Sequence, residues 1–120
     1  MTTPNPGWTY QMVTGCGKLY VTINEDAQGR PVGIFVNMGK AGGCSAAQSE
    51  AVARLLSAGL QSGISPEVLA KELQGISCHS PSGIGENRVL SCVDAVGIAI
   101  SQYAEGKKSL FGPDGVEKAA

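Results

Sequence analysis

Four cysteines constrain this chain more than any other feature, because each lies at the predicted end of a helix or a strand. Cys16 precedes the first predicted strand, and Cys78 follows the end of a predicted helix. Cys44 and Cys92 each begin a predicted helix. A fold can bring the ends of its elements together at one pole, so the four thiols could share one site. Their sequence neighbours are mainly glycine and serine, which allow close backbone approach and supply hydrogen bonds to sulfur.

The spacing of the cysteines leaves the type of site open. No Cys-x-x-Cys pair occurs, so the pattern is not that of a zinc knuckle. Three interpretations follow: one tetrahedral zinc site, four separate buried thiols, or a redox pair. The helix dipole favours a thiolate at Cys44 and Cys92, which suits the first and third interpretations. His79 could replace Cys78 as a ligand, although two adjacent residues seldom reach the same ion.

Composition excludes several classes of protein. Nine basic residues against ten acidic ones give no electrostatic footprint for nucleic acid or an anionic membrane. No apolar run reaches the roughly 18 residues that a membrane span needs, and the amino-terminal residues lack the pattern of a signal peptide. We therefore expect one cytoplasmic domain that binds neither nucleic acid nor membrane. In a reducing compartment a stable disulfide framework is disfavoured, and metal binding or transient redox chemistry is favoured.

Apolar periodicity predicts an α+β domain. Residues 18–24 and 32–38 alternate as two strands joined by the turn chemistry of residues 26–29, which predicts a β-hairpin. Helical spacing predicts three helices: from Cys44 to a C-cap at Gly63, from Ser65 to Gly75, and from Ser91 to Tyr103. The predicted order is β-β-α-α-loop-α, with three α-helices packed on a small antiparallel sheet.

The same patterns predict the domain boundaries. Residues 1–13 read as a flexible leader, 14–105 as the folded domain and 106–120 as a loose tail.

A glycine-rich connection precedes the first helix and has two interpretations. It contains Gly39, Lys40, Gly42, Gly43 and Ser45, followed by a helix N-terminus. Backbone amides, a lysine and a helix dipole together favour an anion, so the segment could bind a phosphate. It does not match the phosphate-binding loop motif, because the lysine comes before the paired glycines. A tight strand-to-helix turn explains the same residues.

Three segments resemble the TSCPD domain, which lies near the carboxyl end of adenosylcobalamin-dependent (class II) ribonucleotide reductases. They are TGCGKLYVTIN from Thr14, VNMGKAGGC from Val36, and Leu90-Ser91-Cys92-Val93-Asp94. The last keeps the serine, cysteine and aspartate of the Thr-Ser-Cys-Pro-Asp signature and lacks its threonine and proline. The resemblance spans roughly residues 14–103. All four cysteines fall on cysteine positions of the family, so it implies a shared zinc-like site of Cys16, Cys44, Cys78 and Cys92.

The resemblance also implies a non-catalytic accessory or interaction domain related to ribonucleoside-diphosphate reductase and deoxyribonucleotide synthesis. In those reductases the radical chemistry and the cobalamin site belong to a barrel of several hundred residues, so we expect neither catalytic residues nor a cobalamin site here. We expect zinc as the cofactor, and a ribonucleotide reductase catalytic subunit or a second copy as the partner. Two alternatives are a thiol-redox component that delivers electrons to the reductase, and a regulatory module that binds a nucleotide or anion.

Overall fold

A four-stranded antiparallel sheet and three helices make up the fold. The computed structural model describes residues 7–15, 17–38, 43–78, 83, 88–106 and 116–119, with the backbone alone for 43–45 and 116–119. The elements are β1 (Gly7–Thr14), β2 (Gly17–Glu25), β3 (Pro31–Met38), α1 (Gly43–Gln61), α2 (Pro66–Leu73), α3 (Cys92–Ala104) and β4 (Val116–Ala119). The strand order is β3-β2-β1-β4. The predicted α+β class, with an antiparallel sheet and three helices, is confirmed.

The predicted hairpin is formed by β2 and β3. Its turn is held by the Asp26 carboxylate, which accepts hydrogen bonds from the backbone N–H groups of Gln28 and Arg30, each at 2.9 Å. Gly29 supplies the positive φ of +80° that the turn requires. Pro31, which we expected just before the second strand, is the first residue of β3 and pairs with Glu25 beside a register shift.

The flexible leader predicted over residues 1–13 is wrong for its second half, where Gly7–Thr14 form strand β1. β1 pairs with the whole length of β2, from Gly7 opposite Asn24 to Thr14 opposite Gly17. Alternation along β1 buries Tyr10, Met12 and Thr14 on the inner face of the sheet. This period of two is present in the sequence, but it lies in the segment that we assigned to the leader.

The second unpredicted strand, β4, lies in the segment that we expected to be a loose tail. Val116–Ala119 pair with Tyr10–Gly7 of β1 and form one edge of the sheet. A four-residue strand carries too little periodicity to be distinguished from a loop in sequence, and its pairing depends on a partner a hundred residues away.

The predicted helix boundaries are confirmed closely. Ser65 caps α2 by accepting a hydrogen bond from the N–H of Val68, and Pro66 is the first helical residue. Ser91 caps α3 by accepting from the N–H of Asp94 at 3.0 Å. Gly63 follows α1 with a φ of +95°, as expected of a helix C-terminus.

The hydrophobic core lies between the inner face of the sheet and the helices. Leu19, Val21 and Ile23 of β2 are fully buried, as are Ala99 and Ile100 of α3. Burying each of these leucine, valine and isoleucine side chains contributes about 1.5–3 kcal/mol.

Helix α1 lies beside β3 and closes part of its free edge. The Ser57 hydroxyl accepts a hydrogen bond from the N–H of Ile34 at 2.8 Å and lies 3.2 Å from its carbonyl oxygen. The Gln61 side chain donates to the carbonyl of Val32 at 2.9 Å. Two helix side chains thus satisfy backbone groups that a neighbouring strand would otherwise take.

Among the described ranges, no helix has the length and apolar character that crossing a membrane requires.

Candidate metal centre at one end of the sheet

The turn between β1 and β2 meets the start of α3 through a contact between Thr14 and Cys92. Thr14 Oγ1 lies 3.7 Å from Cys92 Sγ, within hydrogen-bonding range for sulfur. The same hydroxyl donates to the carbonyl of Gly17 at 2.8 Å, across the closing pair of the hairpin. Thr14 is only 5% exposed, so this contact is shielded from water. Cys92, the cysteine of the signature, therefore lies against the β1–β2 turn, and Cys16 falls between these two strands in the sequence.

Cys78 is held next to the same region by a backbone hydrogen bond. Its N–H donates to the carbonyl of Leu90 at 2.9 Å, and Leu90 precedes Cys92 by two residues. Both Cys78 and Cys92 are half-buried. Two thiols that are 14 residues apart in sequence thus lie on segments bonded directly to each other.

The serine and the aspartate of the signature hold these segments in place. The Asp94 carboxylate accepts from the N–H of Gly75 and from the N–H of Leu90, both at 2.9 Å. The Ser91 hydroxyl donates to the carbonyl of Ile76 at 2.6 Å while it caps α3. Asp94 is 4% exposed and Ser91 is 6% exposed. These bonds join the end of α2 to the start of α3, on either side of Cys78.

Asp94 lies three residues after the N-cap Ser91, at the position of a capping-box acid, and its backbone N–H donates to the Ser91 hydroxyl. In a capping box the acidic side chain returns to the N–H of the N-cap residue. Here it reaches Leu90, one residue earlier, and Gly75, which is distant in sequence. The longer reach explains why this position needs a carboxylate with two accepting oxygens.

Helices α1 and α3 both begin at the turn end of the sheet. Ser57 contacts Ile34 and Gln61 contacts Val32, so α1 runs antiparallel to β3 and starts near Met38. Met38 pairs with Leu19 in the row nearest the β1–β2 turn. The Cys44 backbone lies in the first turn of α1 and thus at this end of the sheet.

Helix α3 has the same direction as α1 relative to the sheet. It begins with Cys92 beside Thr14 and ends near Tyr103, whose hydroxyl donates to Glu25 at the far end of β2. The positive ends of two helix dipoles therefore point toward the end of the sheet that carries the cysteine segments.

The structure describes only part of the predicted site. Cys16 and His79 lie outside the described residues, as do Gly39, Lys40 and Gly42 of the predicted anion loop. For Gly43, Cys44 and Ser45 the backbone alone is described. Within the side chains that the structure describes, no three residues of the types His, Cys, Asp or Glu group together as a metal site would require. The four-cysteine site and the anion site stay predictions.

Thr14 and Gly75 are the residues of this region that sequence reasoning missed. Thr14 was named only as the domain boundary and as the first residue of a family-like segment, and Gly75 only as the end of a helix. Their partners, Cys92 and Asp94, are 78 and 19 residues away. No local sequence pattern predicts contacts between residues so far apart in the chain.

A second polar cluster lies at the opposite end of the sheet. Tyr103 donates to the Glu25 carboxylate, and Tyr10 is fully buried nearby. The Tyr10 hydroxyl finds no hydrogen-bond partner among the described residues. Burial and the Glu25 charge raise the pKa of Tyr10. Burial, followed by the hydrogen bond to Glu25, raises the pKa of Tyr103.

A groove of about 920 Å³ lies between β3 and α1, away from Cys78 and Cys92. Its lining includes the exposed ring of Phe35 and the ion pair of Arg54 with Glu50, joined at 3.1 Å. The ion pair leaves the groove without a net charge to attract a ligand.

The fold is a small α+β domain in which Cys92 begins a helix beside the β1–β2 turn. The family model of the TSCPD domain matches residues 3–104, so the chain belongs to the TSCPD domain family. The domain is found in ribonucleotide reductase-related proteins. The match begins eleven residues before the boundary predicted at Thr14 and takes in strand β1. No curated protein and no solved structure matches the chain.

Proposed function

We propose that this chain is a non-catalytic accessory domain of a ribonucleotide reductase system, stabilised by one zinc ion bound to Cys16, Cys44, Cys78 and Cys92. The observation that carries the proposal is the contact of Thr14 with Cys92, which joins the β1–β2 turn to the start of α3. Cys78 is bonded through its backbone to Leu90 on the same segment as Cys92. The segments that carry Cys78 and Cys92 are therefore bonded to each other, and Cys92 contacts the β1–β2 turn.

The described residues fit such a metal chemically. Cys78 and Cys92 supply soft sulfur donors, and two helices begin at this end of the sheet. Asp94 and Ser91 are fully used in fixing the backbone, so they act as supports for the site and not as ligands. When bound, zinc would cross-link the turn, α1, α3 and the segment of Cys78, which would stabilise the fold.

Metal content and thiol reactivity test the zinc proposal together. The 120-residue chain is purified without chelator, its metal is measured by plasma emission spectroscopy, and its thiols are counted with Ellman's reagent. One zinc per chain, with thiols that react only after denaturation, is the expected result. Cys78→Ser and Cys92→Ser should each lose the metal, whereas Ser77→Ala, next to Cys78 and exposed, should keep it.

Two other results would redirect the interpretation. Absence of metal, with all four thiols reacting quickly in the folded protein, contradicts a shared site. Absence of metal with two thiols detectable only after reduction indicates the thiol-redox function instead, with Cys44 and Cys92 as the first residues to replace.

The partner is proposed from the family alone. We propose that the domain binds a ribonucleotide reductase catalytic subunit encoded separately or in the same chain, in the cytoplasm. Sedimentation of the chain alone and mixed with a class II catalytic subunit tests this. A heavier boundary only in the mixture supports the proposal. A dimer of the chain alone, unchanged by the subunit, would support self-association and contradict the partner.

A further inference from the structure

We infer that the Thr14 hydroxyl, which is not itself a metal ligand, forms a hydrogen bond with the Cys92 sulfur and thereby sets the metal affinity of the cysteine site. The inference rests on the proposed zinc function and extends it to a residue that is not a cysteine. Thr14 is a positioning residue here. Its oxygen lies 3.7 Å from the Cys92 sulfur, and it acts on the metal through that sulfur and not as a ligand in place of a cysteine.

Proton counting shows why this contact matters. A threonine hydroxyl has one proton, and Thr14 donates it to the carbonyl of Gly17 at 2.8 Å. Between Thr14 and Cys92 either atom can be the donor. A metal-bound thiolate has no proton, so the hydroxyl must then be the donor if the contact is to remain a hydrogen bond.

The surroundings of Thr14 allow the hydroxyl to turn its proton from the Gly17 carbonyl toward the Cys92 sulfur. Thr14 is 5% exposed, so water competes little for its hydroxyl. Its backbone is fixed opposite Gly17 in the closing pair of the hairpin, and Cys92 is fixed by the Ser91 cap and the Asp94 carboxylate. The oxygen and the sulfur are therefore held within reach by two rigid elements, and rotation about the C–O bond can turn the hydroxyl proton from the Gly17 carbonyl to a metal-bound sulfur.

Such outer partners tune metal sites. Their replacement lowers metal affinity by about 10- to 100-fold in proteins in which it has been measured. Thr14→Val keeps the shape and the strand preference of threonine and removes the hydroxyl. We expect it to weaken zinc binding by about 10- to 100-fold. Thr14→Ser keeps the hydroxyl and should stay within a few-fold of the wild type.

A matched control comes from the same strand. Thr9 also uses its hydroxyl in a hydrogen bond, to the hydroxyl of Thr22 at 2.9 Å, on the outer face of the sheet. Thr9→Val therefore loses a threonine hydrogen bond in β1 without touching Cys92, and its zinc affinity should equal that of the wild type.

The experiment is a competition titration of Zn²⁺ against a chromophoric chelator, repeated with Co²⁺ to record the sulfur-to-metal charge-transfer band. Loss of the hydrogen bond leaves more electron density on the sulfur, so the band of Thr14→Val should move to longer wavelength, whereas the weaker zinc binding follows from the lost orientation of the sulfur. A loss of fold alone would not move this band in the fraction that still binds cobalt. If Thr14→Val is poorly folded, Thr14→Ala provides the same readout.

The outcomes separate the inference from the function on which it rests. Wild-type protein that binds neither ion contradicts the zinc proposal and the inference together. Wild-type protein that binds zinc, with Thr14→Val equal to it in affinity and in the cobalt band, overturns the role of Thr14 and leaves the zinc proposal intact.

Discussion

Tyr103, in the last turn of α3, donates a hydrogen bond to the carboxylate of Glu25 at the end of β2. This bond anchors the far end of α3, just as the contact of Cys92 with Thr14 marks its start. The helix is thus held to the β1–β2 hairpin at both ends by polar groups, while apolar side chains fill the space between them.

Tyr103→Phe should destabilise the protein by about 1–3 kcal/mol, because it removes a hydrogen bond to a carboxylate in a largely buried setting. Urea denaturation followed by circular dichroism measures the change. Tyr20→Phe is the matched control, since Tyr20 lies on the outer face of the sheet between buried Leu19 and Val21. Equal stability of the two variants would contradict an anchoring role for the Tyr103 hydroxyl.

Stability should fall steeply above pH 10. Burial raises the pKa values of Tyr10 and Tyr103 above the ordinary value of 10.0. The unfolded chain therefore loses these two protons at a lower pH than the folded chain does. The stabilisation is complete below about pH 10 and decreases as the pH rises toward the folded-state pKa values, with a limiting slope of about 1.4 kcal/mol per pH unit for each tyrosine.

Urea denaturation from pH 9 to pH 11.5 measures this dependence. In Tyr10→Phe and in Tyr103→Phe the alkaline slope should be smaller than in the wild type, because one of the two groups is absent. A slope that is unchanged in both variants would assign the alkaline loss of stability to other groups.

Asp94→Ala should be among the most destabilising substitutions near the cysteine site. It leaves the N–H groups of Leu90 and Gly75 without their acceptor, at a cost of about 1–3 kcal/mol each if they stay buried. Asp94→Asn should cost less, because the amide oxygen can still accept one of the two bonds. Glu72→Ala, at an exposed position of α2, should change stability by no more than about 0.5 kcal/mol.

Hydrogen exchange provides a local readout for the same variant. In the wild type the Cys78 amide should be protected by its bond to Leu90. Asp94→Ala should reduce that protection more than it reduces protection in β2. Uniform loss across the whole chain would mean that Asp94 supports the global fold without a particular role at Cys78.

Two glycines within helices should respond in opposite ways to replacement by alanine. A Cβ on Gly97 would lie 3.0 Å from the Ala70 carbonyl oxygen and 3.0 Å from Leu73 Cβ, where α2 crosses α3. A Cβ on Gly59 would meet only the flexible ends of Leu69 and Ile64, the nearest at 3.3 Å. The helix propensity of alanine adds about 1 kcal/mol in both cases.

We therefore expect Gly59→Ala to raise the melting temperature and Gly97→Ala to lower it, since overpacking costs about 1–3 kcal/mol. Calorimetry of the two variants checks the signs. A stabilised Gly97→Ala would show that α2 shifts away from α3 without cost.

The sequence predicted the helices well because their limits are set by local chemistry. Ser65 followed by Pro66, and Ser91 ahead of an apolar stripe, specify helix starts whatever the rest of the chain does. Strand β1 was missed although Tyr10 and Met12 alternate correctly, because its identity as a strand depends on pairing with β2. Helical spacing alone also misplaces Leu55 of α1, which recurs with the buried Leu56 and Leu60 but is itself 73% exposed.

The candidate site was predictable to the extent that cysteines mark element ends. Because all four cysteines were predicted at ends of strands and helices, we could predict that they lie together at one end of the domain. The supports were not predictable, because the bonds from Thr14 to Cys92 and from Asp94 to Gly75 link distant parts of the chain. Such contacts follow from topology, which places the β1–β2 turn and the start of α3 at the same end of the sheet.

The closure of the β3 edge by Ser57 and Gln61 has a consequence for the behaviour of the chain in crowded solution. An open strand edge is a template on which strands of other molecules can add, and this is a common route to aggregation. Here the template is hidden by side chains of α1, a separate element. Any partial unfolding that releases α1 before the sheet separates would uncover Val32 and Ile34 as a nucleus for intermolecular pairing. Solubility of this protein therefore depends on how firmly one helix stays docked.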